Sequence, residues 1–194
     1  MRKLLLVLVL ASFAQWVSAQ SRPEGLFIGS KAKDFKAKDQ NKQDIRLKDL
    51  LKKGKVVLVF YRGYWCPYCN RHLSALQDSL SFITEKGATL VAITPEKPEN
   101  VDKTVEKTKA SFSIIHDEGM KIMKDYDVAF EMQENVVTRY RNSGLDMQKI
   151  NGANGNNLPV PAVYIIGDEQ TITYRFFEPD YKKRPSVKEI LENL

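Results

Sequence analysis

Cys66 and Cys69 are the only two cysteines in the 194-residue chain, and they stand three positions apart. A thiolate is the nucleophile of sulfur chemistry. A second thiol one helical turn further on can attack an adduct formed on the first and close a disulfide. The spacing therefore supplies both halves of a redox cycle. Three other uses of the pair weigh less. As a structural staple it would close too short a loop to remove much chain entropy. Cys66, Cys69 and His72 could hold a soft metal in a non-enzymatic binding module, which is the alternative function, but a closed zinc site needs a fourth ligand. Haem attachment needs a histidine directly after the second cysteine, and Asn70 stands there.

The pair needs a strand before it and a helix after it. Val56-Val57-Leu58-Val59-Phe60 is a short, continuous, β-branched run, which reads as a strand buried on both faces. From Pro67 to about Lys86, Leu73, Leu76, Leu80 and Ile83 fall at helical spacing. Pro67 suits the first helical position, where its missing N–H costs nothing. Cys66 then lies at the helix N-terminus, where unpaired N–H groups and the helix dipole favour a thiolate. Cys69 lies one turn inside and is expected to be the less accessible of the two.

The first residues read as a secretory signal. Arg2 and Lys3 precede the apolar run Leu4–Phe13, and Val17-Ser18-Ala19 offers small residues where a signal peptidase reads. Residues 1–19 are expected to be cleaved off, leaving 20–194 as one exported domain, periplasmic or secreted, with no membrane attachment. Hydrophobic residues make up 43% of the chain and charged residues 28%, with a formal net charge of +6. The lysines are scattered, with no basic run interleaved by aromatics, so a solvated surface is expected and nucleic-acid binding is not.

The remaining chain alternates strands and helices. Ala32–Phe35 and Ile45–Leu47 read as edge strands joined through a turn at Asp39–Lys42, and Ala88–Thr94 and Phe112–Ile115 as further strands. Asn100–Ala110 reads as a surface-lying helix. Residues 127–157 fit no βαβ unit and read as an insertion. Val160–Ile166 and Thr171–Phe177 form a hairpin, and Ser186 caps a final helix with Glu189 completing a capping box. The expected class is α/β, a central mixed sheet with helices on both faces.

Four separated segments carry a family resemblance. They are Ala32-Lys33-Asp34-Phe35, the run from Phe60 to Cys69, Leu158-Pro159-Val160-Pro161-Ala162, and Glu178-Pro179-Asp180-Tyr181. Together they resemble the peroxiredoxin-like members of the alkyl hydroperoxide reductase/thiol-specific antioxidant family, within the thioredoxin-fold superfamily. The resemblance implies an antioxidant thiol oxidoreductase with Cys66 as nucleophile and Cys69 resolving. A thiol electron-donor protein would serve as one partner and a disulfide or peroxide as the substrate, with no cofactor. It also implies a cis bond at Val160–Pro161, with Pro161 against the cysteine pair and the Val160 backbone free to pair with an extended substrate.

Two departures qualify the likeness. Gly63 stands where typical peroxiredoxins carry the Thr or Ser that positions a peroxide, and Val59 where they carry a Pro, so weak peroxidase activity is expected. Phe60 stands where thioredoxin has a buried proton-transferring Asp. Glu96 could substitute for that Asp, though an ordinary exposed loop carboxylate is the expectation. Arg62 either lowers a thiol pKa and binds a peroxide oxygen, or is a surface charge at a strand end. Trp65 and Tyr68 form an apolar rim for a partner or simply pack. His72 and His116 are read as satisfied structural residues.

Overall fold

The computed structural model describes residues 22–194. The secretory-signal reading of residues 1–19 lies outside the described residues. In chain order the elements are β1 (Lys36–Lys38), β2 (Asp44–Arg46), α1 (Leu47–Leu51), β3 (Val56–Phe60), α2 (Pro67–Asp78), α3 (Leu80–Glu85), β4 (Thr89–Thr94), α4 (Pro98–Thr108) and β5 (Ser113–His116). Then come α5 (Lys121–Asp125), β6 (Ala129–Glu131), α6 (Glu134–Asn142), α7 (Met147–Asn151), β7 (Asn157–Pro159), β8 (Ala162–Ile166), β9 (Ile172–Phe177) and α8 (Val187–Glu192).

The central sheet has the order β5-β4-β3-β8-β9. β3 pairs in parallel with β4, and β4 with β5, while β8 runs antiparallel to both β3 and β9. All five residues of β3 are buried. Successive side chains on a strand point to opposite faces, and here each face has its own core. Val56, Leu58 and Phe60 join Leu47 of α1, Ile122 and Met123 of α5, Tyr126 and Tyr164. Val57 and Val59 join Leu73 and Leu76 of α2, Val101 of α4 and Ile190 of α8, together with both cysteines. This is the mixed α/β sheet, covered on both faces, that the strand and helix pattern predicts.

Several boundaries differ from the sequence reading. The edge strands lie at 36–38 and 44–46, because Asp39 organises the turn: its Oδ1 accepts from the backbone N–H of Asn41 and of Gln43. The helix after the cysteines breaks at Ser79 into α2 and α3, where φ −108° and ψ 10° leave the helical region. α4 is not merely surface-lying, since Asn100, Val101, Thr104 and Thr108 are buried. The segment from 129 to 159 leaves the sheet and returns, with β6 pairing antiparallel to β7. It builds a third apolar cluster of Met132, Val137, Met147, Ile150 and Leu158, packed against Tyr64 and Trp65 just before the cysteines. The segment that fits no βαβ unit thus forms one wall of the cysteine region.

The expected cis bond at Pro161 is not found: there is no cis peptide bond among the described residues. The Val160 N–H already donates to the carbonyl of Val128 at 2.8 Å, so it is not free to pair with a substrate. β7, paired with β6, and β8, in the central sheet, are separated only by Val160 and Pro161.

Candidate active site

β3 ends at Phe60, and a tight turn, in which the Cys66 N–H donates to Gly63 O at 3.0 Å, sets Cys66 at the N-cap of α2. Pro67 opens the helix. The Cys66 Sγ accepts the Cys69 backbone N–H at 3.3 Å, so the sulfur fills the place of a capping oxygen. Both cysteines are free thiols. Each is only 1% exposed. The expectation that Cys66 would be the accessible thiol is therefore not met in this state. The second sulfur has its own partner, for Arg184 Nη2 donates to Cys69 Sγ at 3.1 Å.

These contacts leave the pair sharing one charge. The hydrogen bond with Cys69 and then burial push the Cys66 thiol far up. Burial also opposes ionisation of Cys69, but the hydrogen bond from the Cys66 thiol and the Arg184 charge outweigh it and pull Cys69 down to about 6.

Glu96 lies just beyond β4 and is 0% exposed, so the expectation of an ordinary exposed loop carboxylate is overturned. It accepts the Tyr64 backbone N–H at 2.9 and 3.0 Å through its two oxygens. Burial, reinforced by the nearby Cys69 charge, raises its carboxyl to about 8, against the opposing pull of the Tyr64 N–H. Gly63 explains why no hydroxyl side chain stands before the cysteines. Its φ is +149°, and a Cβ there would come within 2.4 Å of Glu96 Oε1 and 2.5 Å of Trp65 Nε1. Trp65 Nε1 is buried with no hydrogen-bond partner among the described residues.

Arg62 is buried, not a surface charge. Its guanidinium lies 4.2 Å from the centre of the Tyr181 ring, 4.7 Å from that of Trp65 and 5.8 Å from that of Tyr140, and it donates to the Tyr140 hydroxyl. A planar cation between aromatic faces is well stabilised without a carboxylate. Arg62 and Pro161 line one cleft of about 160 Å³ with Arg139, Tyr140 and Tyr181. Tyr68 is half-buried and meets the edge of Tyr181 at 5.9 Å. His72 is buried on α2, where desolvation and then the Arg184 charge lower it to about 3, so it stays neutral. Its Nε2 has no partner among the described residues, which corrects the expectation of a satisfied histidine, and the same holds for His116 Nδ1. No group of three or more His, Cys, Asp or Glu able to hold a metal occurs among the described residues. The Arg184 cation acts on both Cys69 and His72, in the surroundings where a metal would have to sit.

A Trp-Cys-x-x-Cys at a helix N-terminus, one turn beyond the central strand of a five-stranded mixed sheet, is accompanied by a match of residues 28–175 to the AhpC/TSA family. The chain belongs to the AhpC/TSA family. This AhpC/TSA protein is 28% identical over 131 residues to the thiol-disulfide oxidoreductase ResA of Geobacillus thermodenitrificans, covering 66% of this chain and 74% of that one. It is 31% identical over 120 residues to the chloroplastic peroxiredoxin Q of Sedum lineare, covering 59% of this chain and 63% of that one. A ResA of Bacillus cereus is 31% identical over 106 residues, covering 54% of this chain and 60% of its own. The chain thus spans less than two thirds of two of these relatives. Among solved structures, peroxidoxin BcpB of Mycobacterium tuberculosis superposes with a TM-score of 0.65 at 19% identity, covering 86% of this chain and 94% of that one. Peroxiredoxin 6 of Arenicola marina superposes with a TM-score of 0.68 at 17% identity, covering 86% and 71%. Those likenesses establish the thioredoxin-like fold. The relatives by sequence are thiol-dependent oxidoreductases, and the dithiol of this chain fits that class.

Three residues beside the pair escaped the sequence reading. Arg184 sits in the run Lys182-Lys183-Arg184, which reads as solvated charge, yet its guanidinium turns inward onto Cys69. Tyr140 belongs to the segment read as an insertion. Tyr181 lies in the family-like segment Glu178–Tyr181, which was the available signal that this loop returns to the cysteines.

Proposed function

We propose that this AhpC/TSA protein is a thiol-dependent oxidoreductase whose working group is the Cys66–Cys69 dithiol, and that thiol–disulfide exchange is its main reaction. The observation that carries the reading is the pair itself: two sulfurs at the start of α2, with the Cys66 Sγ accepting the Cys69 backbone N–H and the Cys69 Sγ accepting from the Arg184 guanidinium. In the exchange, Cys66 sulfur attacks one sulfur of a partner's disulfide. A mixed disulfide forms and the partner's other sulfur leaves as a thiolate. Cys69 sulfur then attacks Cys66, the Cys66–Cys69 bond forms, and the second partner thiolate leaves. The pair has lost two electrons and the partner has gained them. A thiol donor returns the pair to its starting state by the same steps in reverse.

Glu96 is the group that holds or moves a proton during these steps. It is buried, protonated over much of the neutral range, and feels the charge on Cys69. Tyr68 and Tyr181 supply apolar surface at the covering edge for a docking partner. Peroxide reduction is the second reading, favoured by the likeness to peroxiredoxin Q. There Cys66 attacks one peroxide oxygen, the O–O bond breaks and the other oxygen leaves as water or an alcohol, and Cys69 then attacks Cys66 sulfur, forming the Cys66–Cys69 bond and releasing the sulfenic oxygen as water. Gly63 offers that reaction no hydroxyl and leaves no room for one. The domain is proposed to work after export and cleavage of residues 1–19, on the strength of Leu4–Phe13 and Val17-Ser18-Ala19. Side-by-side assays of protein-disulfide and hydrogen peroxide reduction test the reading. Cys66→Ser should abolish both, and disulfide reduction should be the faster in the unaltered protein. Full turnover by Cys66→Ser would refute it.

A further inference from the structure

The loop from β9 to α8 passes over the cysteine pair as a strap. It starts at Glu178, whose N–H donates to Pro161 O at 3.2 Å, and ends at the buried Pro185 before the α8 cap. Between these anchors Asp180–Lys183 are exposed. Two side chains hold the strap down: Tyr181 against Tyr68 and Arg62, and Arg184 on Cys69 Sγ. Beneath it neither sulfur is open to a partner.

We propose that Arg184 decides which sulfur carries the negative charge, and so whether Cys66 is a nucleophile. The inference rests on the dithiol reading and adds a positioning residue to it. Two donors compete for one charge. The Cys69 backbone N–H points at Cys66 Sγ, and the Arg184 guanidinium points at Cys69 Sγ. A charge-assisted hydrogen bond from a full cation outweighs one from a backbone amide. With the strap closed, the charge rests on Cys69, the inner sulfur, and the proton on Cys66. When the strap lifts, Arg184 leaves; the Arg62 charge still acts on both sulfurs and its backbone N–H on Cys69, while the Cys69 amide and the α2 N-terminus favour Cys66. The proton then passes from Cys66 Sγ to Cys69 Sγ, with no change in electron count. Cys66 becomes the thiolate in the state in which a partner can reach it. The closed form is thereby a protected dithiol, screened from adventitious oxidants, and docking that displaces Tyr181 arms the nucleophile.

The test is the rate and position of iodoacetamide alkylation of the reduced full chain at pH 7, read by peptide mass. Loss of one charge-assisted hydrogen bond should change the population of the reactive form by about tenfold. Arg184→Gln should therefore be alkylated about tenfold faster than the unaltered protein, and at Cys66. Arg184→Lys, which keeps the cation, should stay near the unaltered rate. Tyr181→Ala removes the other hold on the strap without touching the sulfurs, and it should raise Cys66 labelling in the same direction. Unchanged labelling in either Arg184→Gln or Tyr181→Ala would overturn the proposal, as would labelling that rises equally at both cysteines. Alkylation needs no turnover, so these results stand apart from the Cys66→Ser assays. An inert Arg184 beside an active dithiol sinks this inference alone.

Discussion

Glu96→Gln is the perturbation whose consequences follow most directly from the buried carboxyl. In the folded chain the Glu96 carboxyl is raised from 4.5 to about 8, because burial disfavours its charged form. The folded state therefore holds this proton more tightly than the unfolded state does. The resulting stability is fully present below about pH 4.5 and is lost as pH rises through about 8. A shift of that size corresponds to about 5 kcal/mol. The substituted amide keeps an oxygen for the Tyr64 N–H and cannot ionise, so the variant lacks this pH dependence. Denaturant unfolding of the reduced proteins from pH 5 to 9 measures the effect. The stability of Glu96→Gln relative to the unaltered protein should rise by a few kcal/mol across that range. If Glu96 also moves a proton during exchange, disulfide turnover at pH 7 should fall by about 100-fold and the limb of the pH profile near 8 should vanish. A stability difference that stays constant from pH 5 to 9 would refute the reasoning, because it would mean Glu96 is charged in the folded state throughout.

Gly63→Thr, which restores the hydroxyl residue type of typical peroxiredoxins, should not create a good peroxidase. Its Cβ would collide with Glu96 Oε1 and Trp65 Nε1 at a φ of +149°, so thermal unfolding should show a loss of about 2–4 kcal/mol or failure to fold. Arg62→Lys keeps the charge but loses the planar stacking on Tyr181 and Trp65 and the hydrogen bond to Tyr140. A loss of about 1–2 kcal/mol in denaturant unfolding is expected, and no loss would show that the aromatic box contributes nothing. Exported protein should begin at Gln20 by N-terminal mass analysis, and retention of Met1 would remove the secretory reading.

Much of the frame was legible because it rests on local rules. The unbroken, β-branched apolar run of β3 reads as a strand covered on both faces, and Pro67 marks where α2 begins. Cys66 at the N-cap follows from those two facts. What was not legible depends on long-range packing. Glu96 lies in the loop after β4, and only the fold shows that Tyr64 and Gly63 close over it. Arg184 is 115 positions from the sulfur it touches, and no local pattern marks one cation of a Lys-Lys-Arg run as turned inward. The cis expectation at Pro161 failed for a related reason. Val128, from the segment read as an insertion, already accepts the Val160 N–H that the cis bond was expected to free.

A working dithiol requires that Cys66 and Cys69 cycle between dithiol and disulfide as one two-electron couple. Equilibration of the protein against reduced and oxidised small dithiols, followed by acid trapping, thiol blocking and mass analysis, measures this directly. The pair should oxidise to a Cys66–Cys69 disulfide in a single transition, with the ratio of forms changing tenfold for about every 30 mV. A pair that stays reduced at every setting, or that oxidises only to species lacking the Cys66–Cys69 bond, would contradict it.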